Sequence, residues 1–254
     1  MHFVGLDLAW GERGRTGVAA VDSAGRLRLV DTATDDADIR AAIAPFTTGD
    51  CVVAIDAPLI VANRTGHRPA EAAFNRDFAR FHAGARPAFS DRPELEHPRA
   101  ARLADALGLD MDPESTGRRR AIEVYPHPAT VVLFDLDKTL KYKRGALDAR
   151  KRNLLTLIDL VERLEAATPP MFTAGTPAWD RLRERVTAAT RPSQLDRDED
   201  PVDAVICAYI GSFRHHRPED VTTYGDFATG YLVTPTLPSG RRLSPATAPD
   251  ASGR

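Results

Sequence analysis

The sequence predicts an α/β fold in which a mixed sheet is flanked by helices. Three short apolar runs near the N-terminus, separated by polar or Gly-containing turns, predict an antiparallel meander over residues 2–33. A helical pattern then leads into a fourth apolar run, and a strand reached through a helix usually lies parallel to the strand that it joins. This order of elements predicts a sheet with both antiparallel and parallel pairs.

The first part of the chain supplies most of that sheet. Strands are predicted at residues 4–8, 16–21 and 27–30, where apolar residues cluster between turns. In residues 35–46, Ile39, Ile43 and Phe46 are spaced for one apolar face of a helix. A buried strand then starts at Cys51 and ends at Asp56.

The rest of the chain is richer in helices. Helices predicted at 70–81 and 98–107 belong to a helical insertion at about 63–117. Another apolar strand covers 120–126, and Pro128 suits the first turn of a helix that continues to 136. Further helices are predicted at 146–167, 178–189 and 200–213, with a last strand at 231–235. We predict one domain over residues 1–237 and a disordered tail, rich in Pro, Ser, Gly and Arg, over 238–254.

Composition narrows the class of protein. The 254 residues are 43% hydrophobic, which is enough for a sizeable core, and the net charge of −2 gives no overall attraction to nucleic acid. No apolar run approaches the roughly 20 residues that a membrane span needs, and the N-terminus carries no export signal. Cys51 and Cys207 lie in apolar runs, as expected of core residues in a reducing compartment. We predict a cytoplasmic protein without a membrane segment.

Acidic residues lie where a binding site would need them. Asp7 and Asp56 each lie at the end of an apolar strand, and Glu123 lies inside one. Asp200 and Asp203 stand three residues apart at the start of a helix. Buried carboxylates are costly unless they are paired, share a proton or bind a cation. A ligand set made only of oxygen favours a hard cation, so the sequence predicts Mg²⁺ or Mn²⁺. Taken singly, an Asp at a strand end can instead cap a turn, and an Asp at a helix start can be stabilised by the helix dipole.

Five motifs occur in order along the chain: Val4-Gly5-Leu6-Asp7-Leu8-Ala9-Trp10, Ile55-Asp56-Ala57-Pro58-Leu59, Ile122-Glu123-Val124-Tyr125-Pro126-His127-Pro128-Ala129, Tyr142-Lys143-Arg144-Gly145, and Asp200-Pro201-Val202-Asp203-Ala204-Val205-Ile206-Cys207-Ala208-Tyr209. Together with a closing segment at 231–235, they resemble the predicted ribonuclease-H-like nuclease family known as domain of unknown function 429. The resemblance implies a ribonuclease-H-like mixed sheet, three antiparallel strands followed by parallel ones, flanked by helices. That architecture agrees with the strand order predicted above.

The resemblance also implies roles for the acidic residues. Asp7 would be the central metal ligand, Asp56 and Asp203 would join it, and Asp200 would support them. Glu123 matches the Glu-Val-Tyr-Pro motif of the family. We therefore predict a nuclease, a phosphodiester hydrolase with one or two Mg²⁺ or Mn²⁺ ions, in which the catalytic residues are Asp7, Asp56, Glu123 and Asp203. The expected partner is nucleic acid, either DNA or RNA.

Basic and aromatic residues indicate where a substrate would bind. Lys143 and Arg144 lie in the Tyr-Lys-Arg-Gly motif, and Arg68 belongs to another basic group, so all three could contact phosphates. Trp10 follows Asp7 closely and could stack on a base, although core packing is an equal use for it. His67 and His127 are further candidates as proton carriers.

Three alternatives compete with the nuclease. The string Val131-Val132-Leu133-Phe134-Asp135-Leu136-Asp137-Lys138-Thr139-Leu140 resembles the first motif of haloacid-dehalogenase-type phosphatases, with Asp135 as nucleophile and Asp137 beside it. An actin-like sugar kinase shares the opening meander, but it needs two domains and Gly-rich phosphate loops. A non-catalytic binding module on the same fold would need no metal.

Overall fold

A computed structural model of the protein describes residues 1–12 and 14–241. Five strands form one sheet in the order β3-β2-β1-β4-β5: β1 (His2–Asp7), β2 (Thr16–Asp22), β3 (Leu27–Ala33), β4 (Cys51–Ile55) and β5 (Arg119–Glu123). The pairs β1–β2 and β2–β3 are antiparallel, whereas β4 is parallel to both β1 and β5. The predicted α/β class and mixed sheet are confirmed, and they are consistent with a ribonuclease-H-like fold.

Helices connect and flank the sheet. Helix α1 (Asp36–Thr47) links β3 to β4, and α2 (Pro69–Phe78), α3 (Pro93–Glu96) and α4 (Arg99–Ala106) lie between β4 and β5. After β5 come α5 (Pro126–Leu133), α6 (Leu147–Glu162), α7 (Pro177–Ala188), α8 (Pro192–Leu195) and α9 (Glu199–His216). A hairpin of β6 (Val221–Asp226) and β7 (Gly230–Pro235) follows. Within residues 1–12 and 14–241, none of the helices has the length and apolar character to cross a membrane.

Helix α9 packs directly on the middle of the sheet because glycines leave room for it. A Cβ atom on Gly5 would lie 1.9 Å from the carbonyl oxygen of Ala204, and one on Gly17 would lie 2.0 Å from the carbonyl oxygen of Asp200. A side chain at either position would collide with the helix backbone. Because Gly17 pairs with Asp7 across β1 and β2, this contact also places the first turn of α9 beside the end of β1.

The apolar face of α9 is buried in this contact. Its five inward residues, Val202, Val205, Ile206, Tyr209 and Ile210, are each at most 1% exposed. Leu6 and Ile55 in the neighbouring strands are fully buried as well. At about 25 cal/mol per Å² of apolar surface, each such side chain stabilises the fold by about 1.5–3 kcal/mol.

Two differences from the predicted elements lie near the C-terminus. The predicted strand at 231–235 is β7, but its partner β6 was missed because that strand is half-exposed and carries no apolar run. Residues 239–241, predicted to be disordered, form a short 3₁₀ turn in which the Arg241 N–H donates to the carbonyl oxygen of Pro238 at 2.8 Å. The Arg241 side chain also donates to Oδ1 of Asp135 at 2.7 Å. The remainder of the predicted tail, 242–254, lies outside the described residues. The domain boundary at 237 stays a prediction.

Candidate active site

Two strand ends and one helix start meet at one edge of the sheet. Strands β1 and β4 are parallel neighbours, so Asp7 at the end of β1 and Asp56 just beyond β4 extend from adjacent positions. The backbone N–H of Asp56 donates to the carbonyl oxygen of Leu6 at 2.8 Å, which continues the ladder up to this residue. Asp200 and Asp203 come from the first turns of α9. We call Asp7, Asp56, Asp200 and Asp203 the acidic cluster.

Lys143 is the cation within the acidic cluster. Its Nζ lies 2.7 Å from Oδ2 of Asp203, 3.1 Å from Oδ2 of Asp7 and 3.6 Å from Oδ1 of Asp200. The contact with Asp203 is an ion pair without hydrogen-bond geometry, so Oδ2 of Asp203 has no hydrogen-bond partner among the described residues. The Asp203 side chain is 1% exposed and that of Lys143 is 32% exposed. The ammonium thus neutralises buried carboxylates from a position open to solvent.

The backbone that carries Lys143 is fixed against α9. The hydroxyl of Tyr142 donates to Oδ1 of Asp203 at 2.5 Å, and Tyr142 itself is buried. Nε of Arg150 donates to the carbonyl oxygen of Tyr142 at 2.8 Å, and its guanidinium pairs with Glu199 at 3.0 Å. Two neighbouring residues of one loop therefore hold both carboxylate oxygens of Asp203.

Burial controls the ionisation of the acidic cluster. It raises the pKa of Asp56 to about 8, with Lys143 opposing the shift and Asp203 adding to it. Burial likewise raises the pKa of Asp7 well above its usual value, and it raises the pKa of Asp200. For Lys143, burial acts to lower the pKa, but the charges of Asp203 and Asp7 outweigh it and raise the pKa. Lys143 therefore stays protonated, and the carboxylates need more positive charge before all of them ionise together.

Replacing Asp56 with Asn tests this electrostatic cost. The pKa of Asp56 is about 8 in the folded protein and lies near the ordinary value of about 3.9 in the unfolded chain. The folded state therefore binds more protons between these values, and the associated stability is present below about pH 4 and lost as the pH rises to about 8. We expect metal-free Asp56→Asn to exceed the wild type in stability at pH 8 by at least about 1.4 kcal/mol, with the gap closing toward pH 4.

Urea unfolding at both pH values measures this difference. The control is Asp137→Asn, which removes a carboxylate from an exposed position and should stay within about 0.5 kcal/mol of the wild type. If wild type and Asp56→Asn unfold at the same urea concentration at pH 8, burial does not penalise this carboxylate.

Glu123, predicted to be a metal ligand, is held by hydrogen bonds from two other residues. It is buried at the end of β5, where Arg68 donates to its two oxygens at 2.5 and 2.9 Å. The backbone N–H of Leu59 donates to its Oε2 at 2.8 Å. Through these hydrogen bonds Glu123 fixes the segment that follows Asp56, and its role as a metal ligand stays a prediction.

Arg68, predicted to contact the substrate, is buried and pairs with acidic side chains. Its side chain is 1% exposed and pairs with Glu71 at 3.0 Å in addition to Glu123. Its Nη1 also donates to the carbonyl oxygen of Ile60 at 2.8 Å. The guanidinium is committed to tying the helical insertion to the end of β5.

A cleft of about 780 Å³ opens beside the acidic cluster; Asp7 and Asp56 line it, as do Arg68 and Glu123, whereas Asp200 and Asp203 do not. Acidic residues, loop residues and insertion residues line it together: Asp7, Asp56, Lys141, Lys143, Arg144, His82 and Arg86. Of the other predicted substrate contacts, Trp10 also lines the cleft, and the guanidinium carbon of Arg92 lies 5.6 Å from the centre of its ring. The cleft therefore combines carboxylates, cations and an aromatic ring.

The cleft contains one of the two histidines predicted as proton carriers, and it contains a residue that the sequence did not single out. His127 lines the cleft, with Nδ1 at 3.2 Å from the Thr139 hydroxyl, and burial lowers its pKa to about 4, so it is neutral at pH 7. His67 does not belong to the lining. Arg86 lines the cleft but lies in an irregular segment without a motif, so the sequence gives no signal for it. Tyr142 contacts Asp203 outside the cleft lining, and no charge marks it as a site residue.

The local fold contradicts the phosphatase alternative. That motif requires a strand before Asp135, but residues Pro126–Leu133 form α5, and Asp135 follows with a left-handed φ of 50°. The Asp135 side chain is 88% exposed and pairs with Arg241, and neither Asp135 nor Asp137 lines the cleft. The apolar string is explained by helical packing, since Val131 and Ala129 are fully buried.

The donor chemistry of the acidic cluster fits Mg²⁺ or Mn²⁺. All its donors are carboxylate oxygens, which these ions prefer, and the Lys143 ammonium acts as a stand-in cation among three of them. Oδ2 of Asp203, buried and without a hydrogen-bond partner among the described residues, is an acceptor that a cation would satisfy. As the side chains are placed, no group of three or more His, Cys, Asp or Glu residues in 1–12 and 14–241 is arranged to hold a metal ion.

Fold and site together define an α/β protein of ribonuclease-H-like type with a carboxylate cluster beside its central strands. The chain belongs to the family described as "Protein of unknown function (DUF429)", whose model matches residues 5–228. This match confirms the predicted family, and its range contains the whole acidic cluster and Lys143. Comparisons with curated proteins and with solved structures gave no match.

Proposed function

We propose that the protein is a phosphodiester hydrolase, a nuclease, that uses Mg²⁺ or Mn²⁺ at the acidic cluster. The observation that carries this proposal is the convergence of Asp7, Asp200 and Asp203 on one cation, the Nζ atom of Lys143, within 3.6 Å. Buried carboxylates from separate elements repel one another, so their assembly disfavours folding unless a cation uses them. Strongly shifted carboxylate pKa values in a cleft are typical of functional sites.

Different residues would bind the metal and orient its ligands. Asp7, Asp56, Asp200 and Asp203 would hold the metal. When bound, the metal supplies a Lewis acid that activates water and neutralises charge on the phosphate. Tyr142 orients Asp203 through its hydrogen bond of 2.5 Å. These contacts give the cluster the rigidity that catalytic geometry requires.

A second buried interaction orients Asp56. Glu123 accepts the Leu59 N–H and is held by Arg68, so the turn after Asp56 has a fixed path. On this view Glu123 and Arg68 are positioning residues that act through the backbone. His127 is neutral at pH 7 and lines the cleft half-buried, where it can orient Thr139 and Tyr142 through its ring nitrogen.

The lining of the cleft favours an anionic, base-bearing substrate. Lys141, Arg144 and Arg86 are exposed cations that can contact phosphates, and Trp10 can stack on a base. A volume of about 780 Å³ is in the range of pockets that enclose one small ligand. We therefore propose that the cleft takes single-stranded DNA or RNA, a few nucleotides at a time. Free, buried Cys51 and Cys207 support a cytoplasmic location for this activity.

Cleavage assays on labelled single-stranded, duplex and branched DNA and RNA test the proposal. We expect cleavage that requires Mg²⁺ or Mn²⁺, stops with a chelator, and is faster on single strands than on duplexes. Calorimetric titration with Mn²⁺ alone gives an independent measure of the metal site. Absence of both Mn²⁺ binding and cleavage would reject the proposal.

A non-catalytic binding module is the second candidate, and the ion pairs of Lys143 favour it. If Lys143 were a permanent partner of the acidic cluster, the cleft would bind its ligand without cutting it. Saturable binding of a single-stranded oligonucleotide, with no product in either metal, would decide for the module.

A further inference from the structure

We propose that Lys143 and a divalent cation compete for the same carboxylates, so that metal binding moves the Lys143 ammonium into the cleft. This inference rests on the proposed metal site and describes how occupancy of that site would be regulated. Metal-free protein would keep its acidic cluster neutralised by Lys143. Metal-loaded protein would present Lys143 to the substrate.

The competition follows from the space between the oxygens. Nζ of Lys143 is 2.7 Å from Oδ2 of Asp203 and 3.1 Å from Oδ2 of Asp7, so it occupies the position between them. Mg²⁺ approaches its oxygen ligands to about 2.0–2.1 Å, closer than the ammonium does. A divalent ion held by both carboxylates would therefore overlap Nζ and repel its charge, and the two cannot be present together.

The side chain can leave without a change in the loop. The hydrogen bond from Arg150 to the Tyr142 carbonyl and the one from Tyr142 to Asp203 hold the backbone next to Lys143. The Lys143 side chain is itself 32% exposed, and a lysine has a flexible four-carbon stem. Exchange therefore needs rotation about side-chain bonds only.

The Lys143 ammonium, once released, would lie among other cations that line the cleft. Lys141 and Arg144 flank Lys143 in sequence and line the same cleft. Released Lys143 joins them as a third cation toward the phosphates of the substrate. Metal and substrate would then assist each other's binding, since coupling between two sites is reciprocal.

Lysine labelling of the wild-type protein tests the exchange directly. Amine methylation, read by mass spectrometry with and without Mg²⁺, should be about fivefold faster at Lys143 in the presence of the ion, within the usual range of coupling between sites. Lys141, an exposed lysine two residues away, is the internal control and should keep its rate. Asp7→Asn, which removes a proposed ligand, should lose the response at Lys143.

Calorimetry with Mn²⁺ alone adds matched variants. Lys143→Met should bind Mn²⁺ about tenfold more tightly than the wild type, because the competitor is gone, whereas Lys141→Met should bind like the wild type. Wild-type binding of Mn²⁺ with no change in Lys143 labelling overturns the exchange and leaves the metal site standing. No Mn²⁺ binding by the wild type or by Lys143→Met overturns the metal site and the exchange together. Binding by Lys143→Met alone supports the exchange, with Lys143 as the stronger competitor.

Discussion

Asp7→Asn is expected to abolish hydrolysis while the fold stays intact. Asp7 extends from β1 into the acidic cluster, and its Oδ2 lies 3.1 Å from Nζ of Lys143. An amide keeps the shape of the side chain but cannot supply the negative oxygen that a divalent ion needs. We expect a loss of at least about 1000-fold in the rate of phosphodiester cleavage, equivalent to about 4 kcal/mol of transition-state stabilisation.

The fold of Asp7→Asn should survive because the substitution removes a costly charge. Burial raises the pKa of Asp7, so its ionised form disfavours the folded state, and Lys143 keeps Asp203 as a partner. We expect a melting temperature equal to or above that of the wild type in the absence of metal. Circular dichroism during heating measures this alongside the cleavage assay.

Asp135→Asn is the control for the loss of activity. It makes the same chemical change at the acid that the phosphatase alternative would require as nucleophile. Because this side chain is 88% exposed and outside the cleft, the variant should cleave like the wild type. Full activity in Asp7→Asn, or its loss in Asp135→Asn, would refute the assignment of the active site.

The sheet and the first half of the site could be predicted because they depend on local pattern. Apolar runs marked β1, β2, β3 and β4, and Asp7 and Asp56 follow two of those runs directly. Parallel pairing of β1 and β4 then brings their ends together without further information. Asp200 and Asp203, spaced three residues apart at a helix start, could be predicted as site residues from local pattern in the same way.

The partners of the buried charges could not be predicted, because they depend on long-range packing. Arg68 lies 55 residues from Glu123, in a segment without clear periodicity, so nothing in the sequence paired them. Lys143 lies 136 residues from Asp7, and only the packing of its loop against α9 brings it there. The phosphatase-like string failed for a related reason, since apolar residues followed by an acid suit a buried helix as well as a strand.

Arg68→Met is expected to destabilise the protein by about 3–5 kcal/mol. The substitution keeps a long side chain but leaves Glu123 and Glu71 buried without their cation; both carboxylates are at most 2% exposed. Removing one partner of a buried ion pair costs more stability than the intact pair contributes, because the other partner stays buried as an uncompensated charge. Denaturant unfolding, with an unchanged slope as the sign of an unchanged folded state, measures the loss.

Arg64→Met is the matched control for this loss, because its side chain is 84% exposed and pairs only loosely with Asp91 at 3.3 Å. Its stability should stay within about 0.5 kcal/mol of the wild type. Arg68→Met/Glu123→Met should cost less than the two single changes added together, since the second substitution removes a charge that the first leaves unpaired. If Arg68→Met lowers the free energy of unfolding by less than about 1 kcal/mol, the Arg68–Glu123 ion pair contributes no more than a surface ion pair does. That result would remove the reason for treating Glu123 as a positioning residue.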